Sequence, residues 1–241
     1  MNPTAADLRA ARTWRDAPTA REGWLRFSRW LQRNARKRAL EDGDAPFWQS
    51  EKDDVSSHVL VTKKNARRLV LFEKQHVMHD FMGATWRLTK QMDTAAATVP
   101  FAPFPLDMEL IADHARRLRA PLGFIGDADP HGVHVFGALR SGALDAPDMN
   151  GRSLKIAWLG IDDRWLRAGR RTNRSLIGRT IQMKWIEREY WFVIKRFMPR
   201  IDTLLGEATV TMLDTGTKAE VEGFADVMPR EVIDPRGVRA R

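Results

Sequence analysis

Cysteine is absent from the 241 residues, which excludes disulfides, zinc–thiolate centres and thiol catalysis. Tyrosine is reduced to one, Tyr190, so covalent chemistry through a phenol has a single candidate. No stretch approaches the ~20 apolar residues of a membrane helix, and the opening MNPTAADLRAARTWRD lacks the apolar run of a signal peptide. A cytoplasmic protein with no membrane partner is the expectation. Neither GxxxxGK followed by Ser or Thr nor GxSxG occurs, so neither a P-loop nor a nucleophile elbow is supported. Negative charge is also in short supply: 31 Asp and Glu stand against 40 Lys and Arg, for a net +9. The pI near 10.3 fits a polyanionic partner such as DNA or RNA, and an anionic membrane surface would satisfy it too.

What is present is enough for a full core, with 43% apolar and 29% charged residues. Residues 1–58 read as a basic, helical N-terminal extension. Within it Trp24, Phe27 and Leu31, with Trp30 beside them, recur at helical spacing, opposite Arg26, Arg29, Arg33, Arg36, Lys37 and Arg38. That basic face is either solvated or laid along a phosphate backbone. Val59–Val61 reads as a minor strand, and Arg68-Leu-Val-Leu-Phe as a second that ends on Glu73. A helix is expected from His76 to about Met92. Thr94–Pro105, with three prolines, reads as a loop holding an extended piece near Val99. A helix over Leu106–Leu118, a strand over Pro121–Ile125, a helix from His131 to Leu139 and a strand over Ser153–Ile161 follow.

That alternation argues for an α/β layer with a mainly parallel sheet flanked by helices, its core at 59–165. Parallel strands bring their C-terminal ends to one edge, where such sheets present ligands. Glu73, Asp127 and Asp129 share that edge provided their strands are neighbours. Residues 166–228 read as a basic arm and C-terminal helices that complete the domain, and 229–241 as a tail. Between Arg164 and Arg200 eleven basic residues face only Glu187 and Glu189, with aromatic residues interleaved. Ala168–Ser175 reads as a flexible loop, and Lys218–Met228 as the last helix. Arg170, Arg171, Arg174, Arg179 and Lys184 are the candidates to grip a nucleic-acid backbone, the alternative being a solvated surface whose arginine stems cover aromatic rings.

The chemistry centres on Pro121–Gly132, in which a short apolar strand runs into Asp127-Ala-Asp129-Pro130. Asp129 before Pro130 is a strong helix start, an N-cap followed by proline at the first helical position. Asp127 is left unexplained by that reading, and a carboxylate at a strand's end must replace the water it loses. Mg²⁺ takes oxygen ligands, usually one or two carboxylates plus a substrate phosphate, and Asp127, Asp129 and Glu73 meet that requirement, with Mn²⁺ as the alternative ion. His131 is a candidate phosphate contact or proton donor. His131 with His134, and His76 with His79, equally suit ordinary surface histidines.

GFIGDADPHGVHVFGALRSG resembles the DxD motif of the TOPRIM domain, in the form found in type IIB topoisomerase A subunits (topoisomerase VI) and their meiotic double-strand-break relatives. LVLFEK resembles the first TOPRIM motif, with Glu73 as its strand-end glutamate. IAWLGI, residues 156–161, and MLDTGTKAEVEGF, residues 212–224, resemble two further elements in the same order. The nuclease subunit of Wadjet plasmid-defence systems carries a similar domain. The resemblance implies a TOPRIM-type, Rossmann-like sheet with helical N- and C-terminal extensions, and Mg²⁺ bound by Glu73, Asp127 and Asp129 beside a scissile DNA phosphate. It equally allows Glu73 to act as a general acid or base. It further implies a homodimer and an ATPase or other partner subunit. The chain departs from the family in lacking the winged-helix tyrosine before the TOPRIM. Tyr190 follows the DxD instead, in surroundings that favour packing.

Three functions are therefore in view. One is a metal-dependent, nucleoid-associated DNA nuclease that uses activated water. A second is a DNA-binding subunit without its own chemistry. The third is a reduced topoisomerase-like subunit whose nucleophile comes from another chain.

Overall fold

The computed structural model describes residues 3–41, 60–61, 66, 68–89, 94–98, 116–117, 121–141 and 155–233. Its main sheet has the order β1 (Leu60–Val61), β3 (Thr94–Thr98), β2 (Arg68–Phe72), β4 (Leu122–Ile125), β5 (Ile156–Trp158). β2 pairs in parallel with β3 and with β4, β4 continues in parallel to β5, and the short β1 is antiparallel to β3. The result is a mixed α/β layer with a parallel core.

β2 shows why this sheet must be covered twice. Side chains alternate along a strand, and here both sets are apolar. Leu69 and Leu71 enter one cluster with Trp14, Trp24, Phe27, Phe124 and Phe136. Val70 and Phe72 enter the other with Val77, Phe81, Ile125, Trp165 and Phe224. Helices α1 (Ala5–Arg15), α2 (Ala20–Glu41), α4 (Pro130–Ser141) and α6 (Trp185–Phe197) supply the first cover. The second comes from α3 (Gln75–Thr89), α5 (Asp163–Thr172) and a 3-10 helix over Val221–Val227. Two short helices, α7 (Asp202–Leu205) and α8 (Glu207–Asp214), lead to β7 (Thr217–Ala219), which pairs antiparallel with β6 (Thr180–Gln182). A last short helix, α9, spans Arg230–Ile233.

The alternating α/β pattern and the places of β2 and β4 agree with expectation, and three local readings do not. Thr94–Thr98 is a strand inside the sheet, whereas the sequence pointed to a loop there. Three alanines have weak strand propensity, and pairing on both sides overrides it. Ala168–Thr172 is helical, whereas a flexible loop was expected. Asp162 caps that helix by accepting from the Arg164 N–H at 2.8 Å, and Trp165, Leu166 and Gly169 bury one stripe of it. The stretch from Lys218 to Met228 is a strand followed by a 3-10 helix, not an α-helix. Its Lys-Ala-Glu-Val-Glu alternation has period two, which is a strand signal: Ala219 and Val221 are buried while Lys218, Glu220 and Glu222 face the other way. The helix expected over Leu106–Leu118 lies outside the described residues except for 116–117. The extended piece near Val99 and the tail beyond 233 also lie outside them.

Candidate functional site

β2 and β4 are neighbours in register, Phe72 opposite Ile125, so the residues that follow them emerge side by side. The Asp127 N–H donates to Glu73 Oε2 at 3.3 Å, which brings the two strand-end acids into contact. Asp127 and Asp129 are 3% and 5% exposed. Asp129 caps α4 by accepting from the Gly132 N–H at 2.8 Å, so it does hold the helix start that Pro130 announces. The other end of the chain closes the site. Ala128 and Ala219 exchange two backbone hydrogen bonds of 2.9 and 3.1 Å, and the Val221 N–H donates to Asp127 Oδ1 at 2.7 Å.

Two lysines stand among these acids. Lys74 Nζ lies 2.8 Å from Asp127 Oδ2 and 2.7 Å from Glu222 Oε1. Lys218 Nζ lies 2.9 Å from Glu187, 3.2 Å from Glu220 and 3.7 Å from Asp129 Oδ2. Burial works against the charge of both lysines, but hydrogen bonds to Asp127 and Glu222, and to Glu187, raise their pKa values and keep them protonated. Glu73 forms no ion pair among the described residues. Burial first, then the charges of Asp127 and Asp129, push its carboxyl up to about 8. Burial likewise lifts Asp127 to about 6, with Lys74 pulling it down and Asp129 pushing it up. The site holds more buried negative charge than its lysines neutralise.

That imbalance is the test of fit for Mg²⁺. The donor set is oxygen only, which suits a hard divalent cation. A double positive charge beside Glu73 would also remove the repulsion that raises it. Among the described residues no three acids or histidines form a closed ligand set, because Lys74 holds Asp127 Oδ2 and Lys218 stands beside Asp129. Glu73, Asp127 and Asp129 would hold the ion, with Lys74 moved off its aspartate.

Sequence reasoning brought Glu73, Asp127 and Asp129 together and missed Lys74, Lys218, Glu187, Glu220 and Glu222. The period-two run from Lys218 to Glu222 was the available signal. His131 sits against Tyr190 with ring centroids 5.2 Å apart. Burial lowers its pKa against the pull of Asp129 and Glu187, so it is a neutral imidazole near neutral pH. His134 stacks on Trp24 at 5.1 Å, and burial lowers it to about 4. Neither is the surface histidine expected, because α2 and α6 cover the helix that carries them. His76 is exposed and reaches Glu222 at 3.0 Å, while His79 is exposed. Tyr190 is 6% exposed, and burial followed by the charge of Asp129 raises its phenol well above the usual value. It packs against Trp24 and Phe27 as its setting implied.

Of the candidate backbone contacts, Arg170, Arg171, Arg174 and Lys184 are exposed. Arg179 is not free to grip a phosphate. It pairs with Asp226 at 2.6 and 2.7 Å and also donates to the Gly223 carbonyl, tying β6 to the 3-10 helix.

Gly132 marks a close approach to the acids. A Cβ there would stand 2.6 Å from the Asp127 carbonyl and 3.1 Å from Glu73 Oε2. Gly132→Ala is expected to shift α4 away from the acids, lowering the melting temperature by about 2–6 °C through 1–2 kcal/mol of overpacking. Metal affinity, measured by calorimetry, is expected to fall at least about tenfold. Unchanged affinity would show that α4 does not set the position of the carboxylates.

No family model matches the chain, and a search of curated proteins returns no match.

Proposed function

We propose that the chain is a Mg²⁺-dependent, DNA-binding and DNA-cleaving protein of TOPRIM type, hydrolysing phosphodiester bonds with water as the attacking group. The observation that carries this reading is the convergence of Glu73, Asp127 and Asp129 at the ends of two adjacent parallel strands, the aspartates buried and Glu73 half-buried without an ion pair among the described residues. A divalent cation bound there would supply Lewis acidity to a phosphate oxygen and lower the pKa of water. Asp127 and Asp129 are the anchoring carboxylates. Asp129 is oriented by its cap on Gly132 and Asp127 by the Val221 N–H, so the two carboxylates are held in place and Lys74 is the group that would have to move. Glu73 would complete the ligand set or, with the ion on the two aspartates alone, stand beside it as a general acid or base. Arg170, Arg171 and Arg174 supply exposed positive charge to the DNA backbone. α5, which carries the first two, packs on the 3-10 helix whose first residues close the site. Water is the nucleophile in this reading because Tyr190 is buried and held protonated.

A non-catalytic DNA-binding subunit is the second reading. The lysines favour it: with Lys74 on Asp127 and Lys218 beside Asp129, both aspartates have counter-charges without a metal ion. A homodimer, or a partner subunit that supplies an ATPase or a nucleophile, would fit either reading.

Supercoiled plasmid incubated with the full chain and Mg²⁺ or Mn²⁺ tests the proposal. Asp127→Asn is the informative variant, since its amide oxygen can still accept from Val221. Nicking is expected to need the divalent ion and to fall about 10²–10³-fold in the variant. Nicking that survives Asp127→Asn removes the assignment of the site. DNA binding without any nicking favours the second reading.

A further inference from the structure

Helix α6 has a second functional-looking face. Arg188, Trp191, Phe192 and Lys195 recur at i, i+3, i+4 and i+7, so they share one side, while Glu187 reaches the acidic site from another. That side lines a hollow of about 500 Å³, closed by Arg15 and Arg196 and floored by Leu213–Gly216. The size is ordinary for a small-ligand site.

Its charges do not cancel. Arg15 is matched by Glu189, and Lys195 by Asp214 at 2.8 Å. Arg196 donates to the backbone carbonyls of Trp14, Arg15 and Ala17 and forms no ion pair among the described residues. Arg188 forms no ion pair among the described residues, and its one side-chain hydrogen bond is to Gln182 Oε1 at 3.5 Å. Gly216, at φ +80°, has no Cβ, and one built there would lie 2.7 Å from the Arg188 Cζ, so the guanidinium lies against the glycine backbone. Phe192, 39% exposed, offers an aromatic ring to the same hollow, with the Arg15 guanidinium 5.0 Å from its centroid.

An arginine without a carboxylate partner recognises a phosphate, and an exposed ring beside it recognises a planar base. We propose that this hollow binds a phosphorylated nucleoside, with Arg188 holding the phosphate and Phe192 stacking on the base. The proposal stands apart from the cleavage reading, since a free nucleotide and the phosphorylated end of a strand carry the same chemistry. Its position favours the latter: Glu187 directly precedes Arg188 on α6, and Lys218 lies two residues beyond Gly216, so hollow and acidic site adjoin.

The test uses the full chain in EDTA and a fluorescent, 5′-phosphorylated oligothymidylate read by anisotropy, with dTMP, a 5′-hydroxyl oligonucleotide and inorganic phosphate as competitors. Arg188→Glu and Phe192→Ala change exposed side chains, and thermal melts check that the fold is kept. Phe192→Ala is expected to weaken binding about 5–100-fold, and Arg188→Glu by at least as much. Competition by dTMP identifies a free-nucleotide site. Failure of dTMP, with the 5′-phosphorylated strand preferred to the 5′-hydroxyl one, identifies a strand-end site. Binding unchanged in both variants, no binding by the wild type, or inorganic phosphate competing as well as dTMP overturns the proposal. Binding that depends on Arg188 without plasmid nicking removes the cleavage reading alone. Nicking that depends on Asp127, with binding indifferent to Arg188, removes this one alone.

Discussion

In EDTA at pH 8, Glu73→Gln is expected to melt about 3–6 °C above the wild type, and with Mg²⁺ to show no nicking. Removing a charge from a protein rarely stabilises it, and the reason here is specific. Glu73 is half-buried beside two buried aspartates, and lost solvation followed by their charges lifts its carboxyl from the usual range near 4.5 to about 8, while Asp127 rises to about 6. The folded state thus holds these protons more tightly than the unfolded chain. The stability they confer is complete below pH ~3.8, the ordinary aspartate value, and is lost as pH rises through 6 and then 8. Wild-type melting temperature should fall across that window, and Glu73→Gln should flatten the fall, because glutamine accepts from the Asp127 N–H without ionising. Mg²⁺ should restore the wild type at pH 8 and leave the variant unchanged. A variant that melts lower than the wild type at every pH would show that Glu73 is not the source of the strain.

Trp24→Ala is the second large effect, a loss of about 3–5 kcal/mol in chemical denaturation. Trp24 is 1% exposed, and its ring meets His134 at 5.1 Å, Phe197 at 5.6 Å and Tyr190 at 5.9 Å. It is the point at which α2 enters the core shared with α4 and α6. His134 has its Nδ1 buried without a hydrogen-bond partner among the described residues, so an empty space beside it would admit water next to a neutral imidazole. Trp24→Phe should recover most of the loss. A cost below about 1 kcal/mol for Trp24→Ala would mean that the N-terminal helices are not part of the cooperative unit.

What was legible in the sequence depended on whether a residue's neighbours along the chain carried the signal. β2 and β4 are unbroken apolar runs that stop at acids, so strand, direction and the edge holding Glu73 and Asp127 could be read locally. The alanine strand β3 could not, since its structure comes from the strands on either side. The lysines escaped for another reason. Lys74 and Lys218 look like any of 40 basic residues, and only the fold reveals that each is enclosed by carboxylates. The basic run from Arg164 to Arg200 shows the limit in reverse. It reads as one arm, yet the fold divides it among an exposed group at Arg170–Arg174, a structural tie at Arg179 and the hollow around Arg188.

The bond between Ala128 and Ala219 has a bearing on how the chain is made. About 95 residues separate Asp127 from Glu222, so at ribosomal speeds the two emerge about 5–20 s apart. During that interval β2 and β4 can already pair, while Val221 and Lys218, which stabilise their acids, are still inside the ribosome or unmade. Until they arrive, the half-finished domain carries its acids at a sheet edge with Lys74 beside Asp127 and without the C-terminal segment that closes over them. The cluster of acids and lysines is completed when the last elements of the domain have been synthesised.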